Sequence, residues 1–302
     1  MVENFCKKHT DLPKKSFVKI TLLVLVHNQN LCYNKTMFDL PLVVQCFIVA
    51  IFGCCIGSFL CVCVERLPKG LSVVSPGSRC PHCGKSIPWY LNIPIISWLF
   101  LRGKSKCCKK AIPLSYFLSE LSVGIMAGLL YFHSQKLFIP YFLLFCLLWV
   151  AFFIDLKTMT IPDEVTLLGI VLGVLASYFL PELQGKRETF YGLMGSIETT
   201  CLSMGGLFLF ISIVEFFLKK EAMGLGDVKL MGCIGAFLGS NACLFSLFFG
   251  AILGTVCIYT NYLFRKFCLK QRVSLKNKLI PFGPFLALST IFYLFFPQLM
   301  LK

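Results

Sequence analysis

Charged residues are scarce in this chain. Of its 302 residues only 14% are charged and 57% are hydrophobic, and 14 Asp and Glu stand against 29 Lys and Arg. A chain this poor in charge cannot cover the surface of a soluble domain, so an ordinary soluble protein is excluded and a polytopic membrane protein is predicted. An acid inside an apolar run then becomes a candidate for function.

Two other features are missing. No basic cluster outside the apolar runs alternates with stacking aromatic residues, so the net charge of +15 does not indicate nucleic-acid binding. The early run at 20–26 is too short to span a bilayer and has no small-residue cleavage site, so no signal peptide is predicted. We interpret residues 1–36 as an N-terminal extension, and we expect the working protein to begin at Met37.

Long apolar runs are abundant. Seven of them can cross a hydrocarbon core of about 30 Å as helices, and a shorter run at 230–240 is a possible eighth. The seven lie near 42–63, 114–133, 137–154, 164–181, 199–218, 242–264 and 279–299. We therefore predict an all-α polytopic membrane protein with about 7–8 transmembrane helices, the first of them within 37–63.

The longest polar stretch, 64–113, follows the first apolar run. If it lies inside, the inner segments carry nineteen Lys and Arg and the outer segments after residue 36 carry four, as the excess of basic residues in cytoplasmic loops requires. The six lysines of 1–36 would lie outside and contradict this rule, which the rest of the chain obeys. We predict a cysteine-containing cytoplasmic domain over 64–113 and a membrane-embedded domain over 114–302. Most of the 17 cysteines lie in apolar runs or in these cytosolic loops, so disulfides are not expected.

Two acids stand at the ends of long apolar runs, Asp155 and Asp227. The predicted topology places both on the cytoplasmic side. If their helices pack side by side, the two carboxylates can share one proton, so that one activates a water while the other polarises a carbonyl, as in an aspartic peptidase. The simpler alternative is that Asp227 caps the next helix. Gly224 and Gly226, which both precede it, indicate a closer backbone approach than a cap requires.

Two further acids are weaker candidates for functional residues. Glu120 lies one turn inside the second apolar run, where an acid must be paired or must face a polar cavity. Asp163 follows Pro162 at the start of a helix, so we expect its charge to act favourably on the first helical turn.

Four cysteines of the polar stretch are candidate metal ligands. Cys80 and Cys83 form a CxxC turn, and Cys107 and Cys108 follow. Tetrahedral zinc takes four soft ligands and such a turn supplies two, so the pattern predicts a zinc site. The second pair is irregular, because a regular turn would have cysteine in place of Ser105. An outside group instead of Cys107, or free thiols without metal, are the alternatives.

In these motifs the chain resembles the bacterial type IV prepilin peptidases, the leader peptidase/N-methyltransferases of pilus assembly and type II secretion. The resemblance extends from about residue 57 to residue 285. The matching stretches begin at Gly57, Arg66, Ser78, Asn92, Leu101, Tyr116, Asp155, Ile161, Gly224 and Pro281. The family usually has a second CxxC, which Ser105 interrupts here.

The resemblance implies what the protein does. Family members remove the basic leader of type IV prepilins or pseudopilins at the cytoplasmic face of the inner membrane. They then methylate the new N-terminus with S-adenosylmethionine. Two alternatives are a peptidase that lacks methylation and a transporter that uses its acids as ion sites.

The resemblance also assigns residues. It implies that Asp155 and Asp227 are the catalytic dyad and that Gly224, Gly226 and Lys229 support the active-site loop. The methyl donor belongs to the cytoplasmic domain by the same resemblance. Its binding residues stay unassigned, because the sequence has no glycine-rich nucleotide-binding fingerprint.

Overall fold

The structure, a computed structural model, describes residues 40–80, 82–219, 223–267 and 281–296. The predicted extension over 1–36 lies outside these residues. The α-helices are α1 (Leu42–Arg66), α2 (Ile96–Phe100), α3 (Leu114–His133), α4 (Phe138–Thr158), α5 (Asp163–Phe179), α6 (Thr189–Leu218), α7 (Leu225–Phe267) and α8 (Gly283–Phe295). Short 3-10 helices lie at Leu67–Lys69, Trp89–Leu91 and Pro181–Gln184.

The predicted fold class is confirmed. Among the described residues there is no strand, and five helices are long and apolar enough to cross a membrane, namely α1, α3, α4, α6 and α7. Helices α5 and α8 are shorter, with 17 and 13 residues. The runs predicted at 230–240 and 242–264 are both helical, and they form the two parts of α7 on either side of a kink at Gly239. Large hydrophobic side chains such as Phe208, Phe210 and Phe216 of α6 are exposed, as expected of a multi-pass membrane protein.

Helix α7 packs against α5, α6 and α8, and it is broken at Gly239. The φ of 81° and ψ of −178° at this residue are essentially restricted to glycine. One turn earlier, the carbonyls of Gly235 and Ala236 accept hydrogen bonds from side chains outside α7. The donors are Ser177, Gln184, Ser196 and Thr199. Each buried carbonyl left without a donor would cost about 1–3 kcal/mol, so these side chains stabilise the break.

Helix α4 carries a buried stripe that ends in an acid. Leu144, Leu148 and Ala151 are fully buried, and their spacing of three or four residues places them on one helical face. The stripe continues to Asp155, which is only 4% exposed. Met159 then ends the helix in the left-handed conformation and donates its N–H to the carbonyl of Asp155 at 2.9 Å. The packing of α4 therefore fixes Asp155 at a buried helix end.

Helices α1 and α3 approach each other through small residues. A methyl group added at Gly53 would lie 2.5 Å from Cβ of Ala127, and one at Gly57 would lie 3.0 Å from Cα of Glu120. Larger side chains at these two positions would force the helices apart. This contact is the close approach that the glycines of the first apolar run favour.

Candidate functional site

The first candidate acid is held by the start of the last helix. Oδ2 of Asp155 accepts a hydrogen bond from the backbone N–H of Gly283 at 3.0 Å. A methyl group at Gly283 would lie 2.7 Å from the same oxygen, so only glycine permits this approach. Pro284 follows within the first turn of α8, where its missing N–H costs nothing. The chain thus brings a backbone donor to a buried carboxylate.

The second acid lies beside the first. Asp227 is 8% exposed and stands inside the first turn of α7, not at its N-cap. Its carboxylate is close enough to that of Asp155 for the two charges to interact. Ile161 lies between the start of α7 and the start of α8. Methyl groups added at Gly226 and at Gly283 would each lie 3.1 Å from its side chain. The structure therefore brings together the two acids that the sequence singled out.

An ion pair lies next to the acids. Nζ of Lys229 is 2.6 Å from Oδ1 of Asp163, with the two side chains 30% and 57% exposed. At this exposure the pair contributes at most about 1 kcal/mol. Asp163 lies in the first turn of α5, as the sequence predicts, but its pairing with Lys229 was not foreseen. The ion pair connects the start of α5 to the start of α7.

The cysteine domain contains two turns of the same design. In the first turn, the backbone N–H of Cys80 donates to the carbonyl of Lys85, and the N–H of Gly84 donates to the carbonyl of Cys80, both at 2.9 Å. In the second turn, the backbone N–H of Ser105 donates to the carbonyl of Lys110 at 2.8 Å, and the N–H of Lys109 donates to the carbonyl of Ser105 at 2.9 Å. Short antiparallel bridges close both turns, at residues 79 and 86 and at residues 104 and 111. Ser105 therefore occupies the position in the second turn that Cys80 occupies in the first.

The four cysteine sulfurs form one cluster, within 4.8 Å of one another. Sγ of Cys80 is 3.8 Å from that of Cys108, and Sγ of Cys83 is 3.1 Å from that of Cys107. Zinc bonds of about 2.3 Å in a tetrahedron need sulfurs about 3.8 Å apart, so the donor set fits one zinc ion after small adjustments. The adjacent Cys107 and Cys108 both reach the cluster.

Ser105 also reaches this cluster, through its hydroxyl. Its Oγ lies 3.3 Å from Sγ of Cys80 and 3.0 Å from Sγ of Cys107. The Ser105 hydroxyl, followed by the backbone amides of His82 and Cys83, lowers the pKa of the Cys80 thiol to about 5. Hydrogen bonds from Ser105 and Cys83 also lower the pKa of Cys107. Thiolates are the form in which cysteine binds metal, so these contacts favour the metal-binding form of Cys80 and Cys107. The pKa of Cys83 is raised to about 11, because the Lys85 amide that lowers it is outweighed by the hydrogen bonds with Cys107 and Cys80 and by burial.

Two buried carboxylates at adjoining helix ends of a multi-pass helical membrane protein are an arrangement that an aspartic peptidase can use. Residues 51–134 match the family described as the bacterial peptidase A24 N-terminal domain, and residues 142–259 match the type IV leader peptidase family. The chain belongs to the type IV leader peptidase family, which is a family of enzymes. The cysteines lie in the first matched segment and both acids lie in the second.

Several curated relatives carry the name prepilin leader peptidase/N-methyltransferase. The relative from Dichelobacter nodosus is 31% identical over 80% of this chain and 88% of its own length. The relative from Pectobacterium carotovorum is 32% identical over 81% and 90%. The relative from Vibrio cholerae is 29% identical over 85% and 99%. No solved structure matches the chain significantly.

Proposed function

We propose that this protein removes the basic leader peptide from type IV prepilins or pseudopilins and then methylates the new N-terminal residue. The observation that carries the proposal is the pairing of Asp155 with Asp227, two buried carboxylates at neighbouring helix ends in a chain of the leader peptidase family. The printed name of its relatives joins both activities in one protein.

The two acids act on a water and on the scissile carbonyl. The N–H of Gly283 favours the ionised form of Asp155, because a hydrogen bond to a carboxylate stabilises its charge. We therefore assign Asp155 as the base that takes a proton from the attacking water. Asp227, buried beside that charge, keeps the shared proton and donates a hydrogen bond to the carbonyl oxygen of the substrate.

The surrounding residues keep the acids in place. Gly226 allows Ile161 to pack against the start of α7, and Gly224 accepts the N–H of Asp227 at 3.1 Å. Lys229 joins this start to α5 through Asp163. Gly224 therefore precedes α7, whereas Gly226 and Lys229 lie within its first turns, so these three residues support the site from a helix start and not from a loop.

The location of cleavage follows from the substrate and from the distribution of basic residues. A prepilin leader precedes an apolar helix, so its scissile bond lies at the membrane boundary. Basic residues are concentrated in the loops on the side of the two acids. We place the chain in the bacterial inner membrane, surrounded by lipid, with the acids at its cytoplasmic face.

Two bound groups belong to this function. S-adenosylmethionine supplies the methyl group, as the N-methyltransferase name of the relatives implies. Zinc is the ion that best fits the sulfurs of Cys80, Cys83, Cys107 and Cys108. The ion would join the two turns of the cysteine domain, because each turn contributes two ligands.

Conservative substitutions test the two acids. Asp155→Asn and Asp227→Asn keep the shape of the side chain but remove the shared proton, so each should lower leader cleavage by at least about 1000-fold. Cleavage of a prepilin is followed by gel mobility in membranes that contain equal amounts of each variant. The matched control is Asp163→Asn, which removes only the partly exposed ion pair and should retain most of the activity. Cleavage near the wild-type rate by either dyad variant would refute the assignment.

A further inference from the structure

A large open cavity that neither of the two acids lines lies between α1, α3 and the cysteine domain. Its volume is about 670 Å³, within the range of about 300–1,000 Å³ that small-molecule sites occupy. All of its lining residues belong to 55–120, inside the segment that matches the N-terminal domain of the family. The peptidase mechanism uses none of them.

Acids and bases both face this cavity. Glu65 at the end of α1 accepts a hydrogen bond from the hydroxyl of Tyr116. Glu120 of α3 also lines the cavity, which is the polar surrounding that its sequence position requires. Arg66 and Arg79 supply positive charge, and Arg66 donates one hydrogen bond to the carbonyl of Ser72. The cavity therefore suits a ligand that carries charges of both signs.

Glu120 holds a strained backbone at the cavity wall. Ile95 has a φ of 62° and a ψ of −56°, a γ-turn conformation that is rare for any residue and especially for a β-branched one. Its N–H donates to Oε2 of Glu120 at 2.7 Å. A strained residue costs about 1–3 kcal/mol and persists where its surroundings hold it, often at a ligand site.

The remaining wall offers flat apolar surface. The rings of Trp98 and Phe117 lie 5.0 Å apart, and both residues line the cavity. The indole N–H of Trp98 is occupied by the carbonyl of Ile112 at 3.4 Å, which orients the ring. A planar base can stack on such a wall.

We propose that this cavity binds the methyl donor S-adenosylmethionine, with Glu65 and Glu120 facing its positive charge and the arginines facing its carboxylate. The proposal rests on the methyltransferase activity proposed above. The donor combines a sulfonium cation, a zwitterionic amino acid and an adenine, and the cavity offers carboxylates, guanidinium groups and aromatic surface. The fit is one of charge, chemistry and volume, in the segment of the chain that contains neither of the paired acids.

Direct binding of the donor tests this site without relying on turnover. Purified full-length protein in detergent is titrated with S-adenosylmethionine and, separately, with its neutral thioether product, S-adenosylhomocysteine. Glu65→Gln keeps a partner for Tyr116 but removes one negative charge. It should weaken binding of the cationic donor by at least about 10-fold, which is about 1.4 kcal/mol, and that of the thioether by less.

A second variant and a control complete the test. Ser58→Phe fills part of the cavity from α1 and should weaken both ligands. Glu164→Gln removes an exposed acid that does not line the cavity and should change neither affinity. Leader cleavage is scored on the same preparations, and all three variants should cleave.

The outcomes separate this proposal from the proposed function. Unchanged donor affinity in both cavity variants, with normal cleavage, would overturn the cavity assignment and leave the peptidase intact. Equal weakening of both ligands by Glu65→Gln would overturn the role of charge. A wild-type protein that neither cleaves prepilin nor binds the donor would overturn both proposals.

Discussion

At Gly283 the absence of a methyl group decides how closely α8 approaches Asp155. The backbone N–H of Gly283 lies 3.0 Å from Oδ2, and an added Cβ would stand 2.7 Å from that oxygen. Carbon cannot remain that close to oxygen, so the helix or the carboxylate must move. The residue thus serves the proposed base through its small size as well as through its N–H.

Gly283→Ala should therefore impair cleavage while leaving the protein folded. A displacement of about 1 Å at a reacting group can cost about 100-fold in rate, and we expect a loss of that order. The measurement is the rate of prepilin cleavage together with the thermal unfolding midpoint in detergent. Gly205→Ala is the matched control, because its added methyl would meet nothing within 4 Å. Equal cleavage by both variants would show that the close approach has no bearing on catalysis.

The residue scale also shows what the sequence can and cannot predict. The choice of Asp155 and Asp227 as candidate site residues was possible from the sequence, because a charge at the end of an apolar run is costly and therefore conspicuous. The partner of Asp155 was not, since Gly283 lies 128 positions further along the chain. The pair of Lys229 with Asp163 was hidden for the same reason, since the two residues are 66 positions apart and only the fold brings them together.

At the scale of elements, the two turns of the cysteine domain explain an irregular sequence. The backbone hydrogen bonds of the second turn repeat those of the first, 25 residues later, with Ser105 in place of a cysteine. Cys107 supplies a sulfur to the cluster from a position between the usual ligands. The serine interrupts the pattern of cysteines without interrupting the turn.

Metal content tests this reading of the cluster. Wild-type protein should hold about one zinc ion per chain, the number that a four-ligand site binds. Cys83→Ser should lower zinc content and thermal stability, and should impair methylation at least as much as cleavage. Ser105→Cys completes a regular second turn and should tighten binding. Cys201→Ser, at an exposed cysteine of α6, is the control and should leave zinc unchanged.

The opposite result is equally clear. Less than about 0.2 zinc per chain in purified wild-type protein would mean that the cysteine domain folds without metal. The cysteines would then be ordinary thiols, as the alternative reading of the sequence holds.

The helices themselves were largely predictable from hydropathy, because a segment in lipid must satisfy its own backbone hydrogen bonds. The geometry of the kink between the two parts of α7 was not predictable. Gly239 has a non-helical backbone that separates these parts, and the carbonyls one turn earlier are satisfied by side chains of α5, α6 and the turn between them. Those donors are distant in sequence, so the apolar runs alone do not show how the backbone at the kink is stabilised.

At the scale of the whole molecule, the chain keeps two kinds of chemistry in separate places. The paired acids lie within the matched segment 142–259, whereas the cysteine cluster and the cavity lie within 51–134. The cavity could not be predicted, because its charged residues come from α1, α3 and the polar stretch, and no short motif joins them. Separate sites imply that one activity can be lost while the other is kept.

The most direct test measures leader removal and N-methylation separately by mass spectrometry. Two substrates are used: an intact prepilin, and the same pilin from which the leader has already been removed. Wild-type protein should cleave the prepilin and methylate both products. Asp227→Asn should leave the prepilin uncleaved but should methylate the pre-cleaved pilin at near the wild-type rate, since its change lies outside the cysteine domain and the cavity. Leader removal by Asp227→Asn at near the wild-type rate would contradict the account.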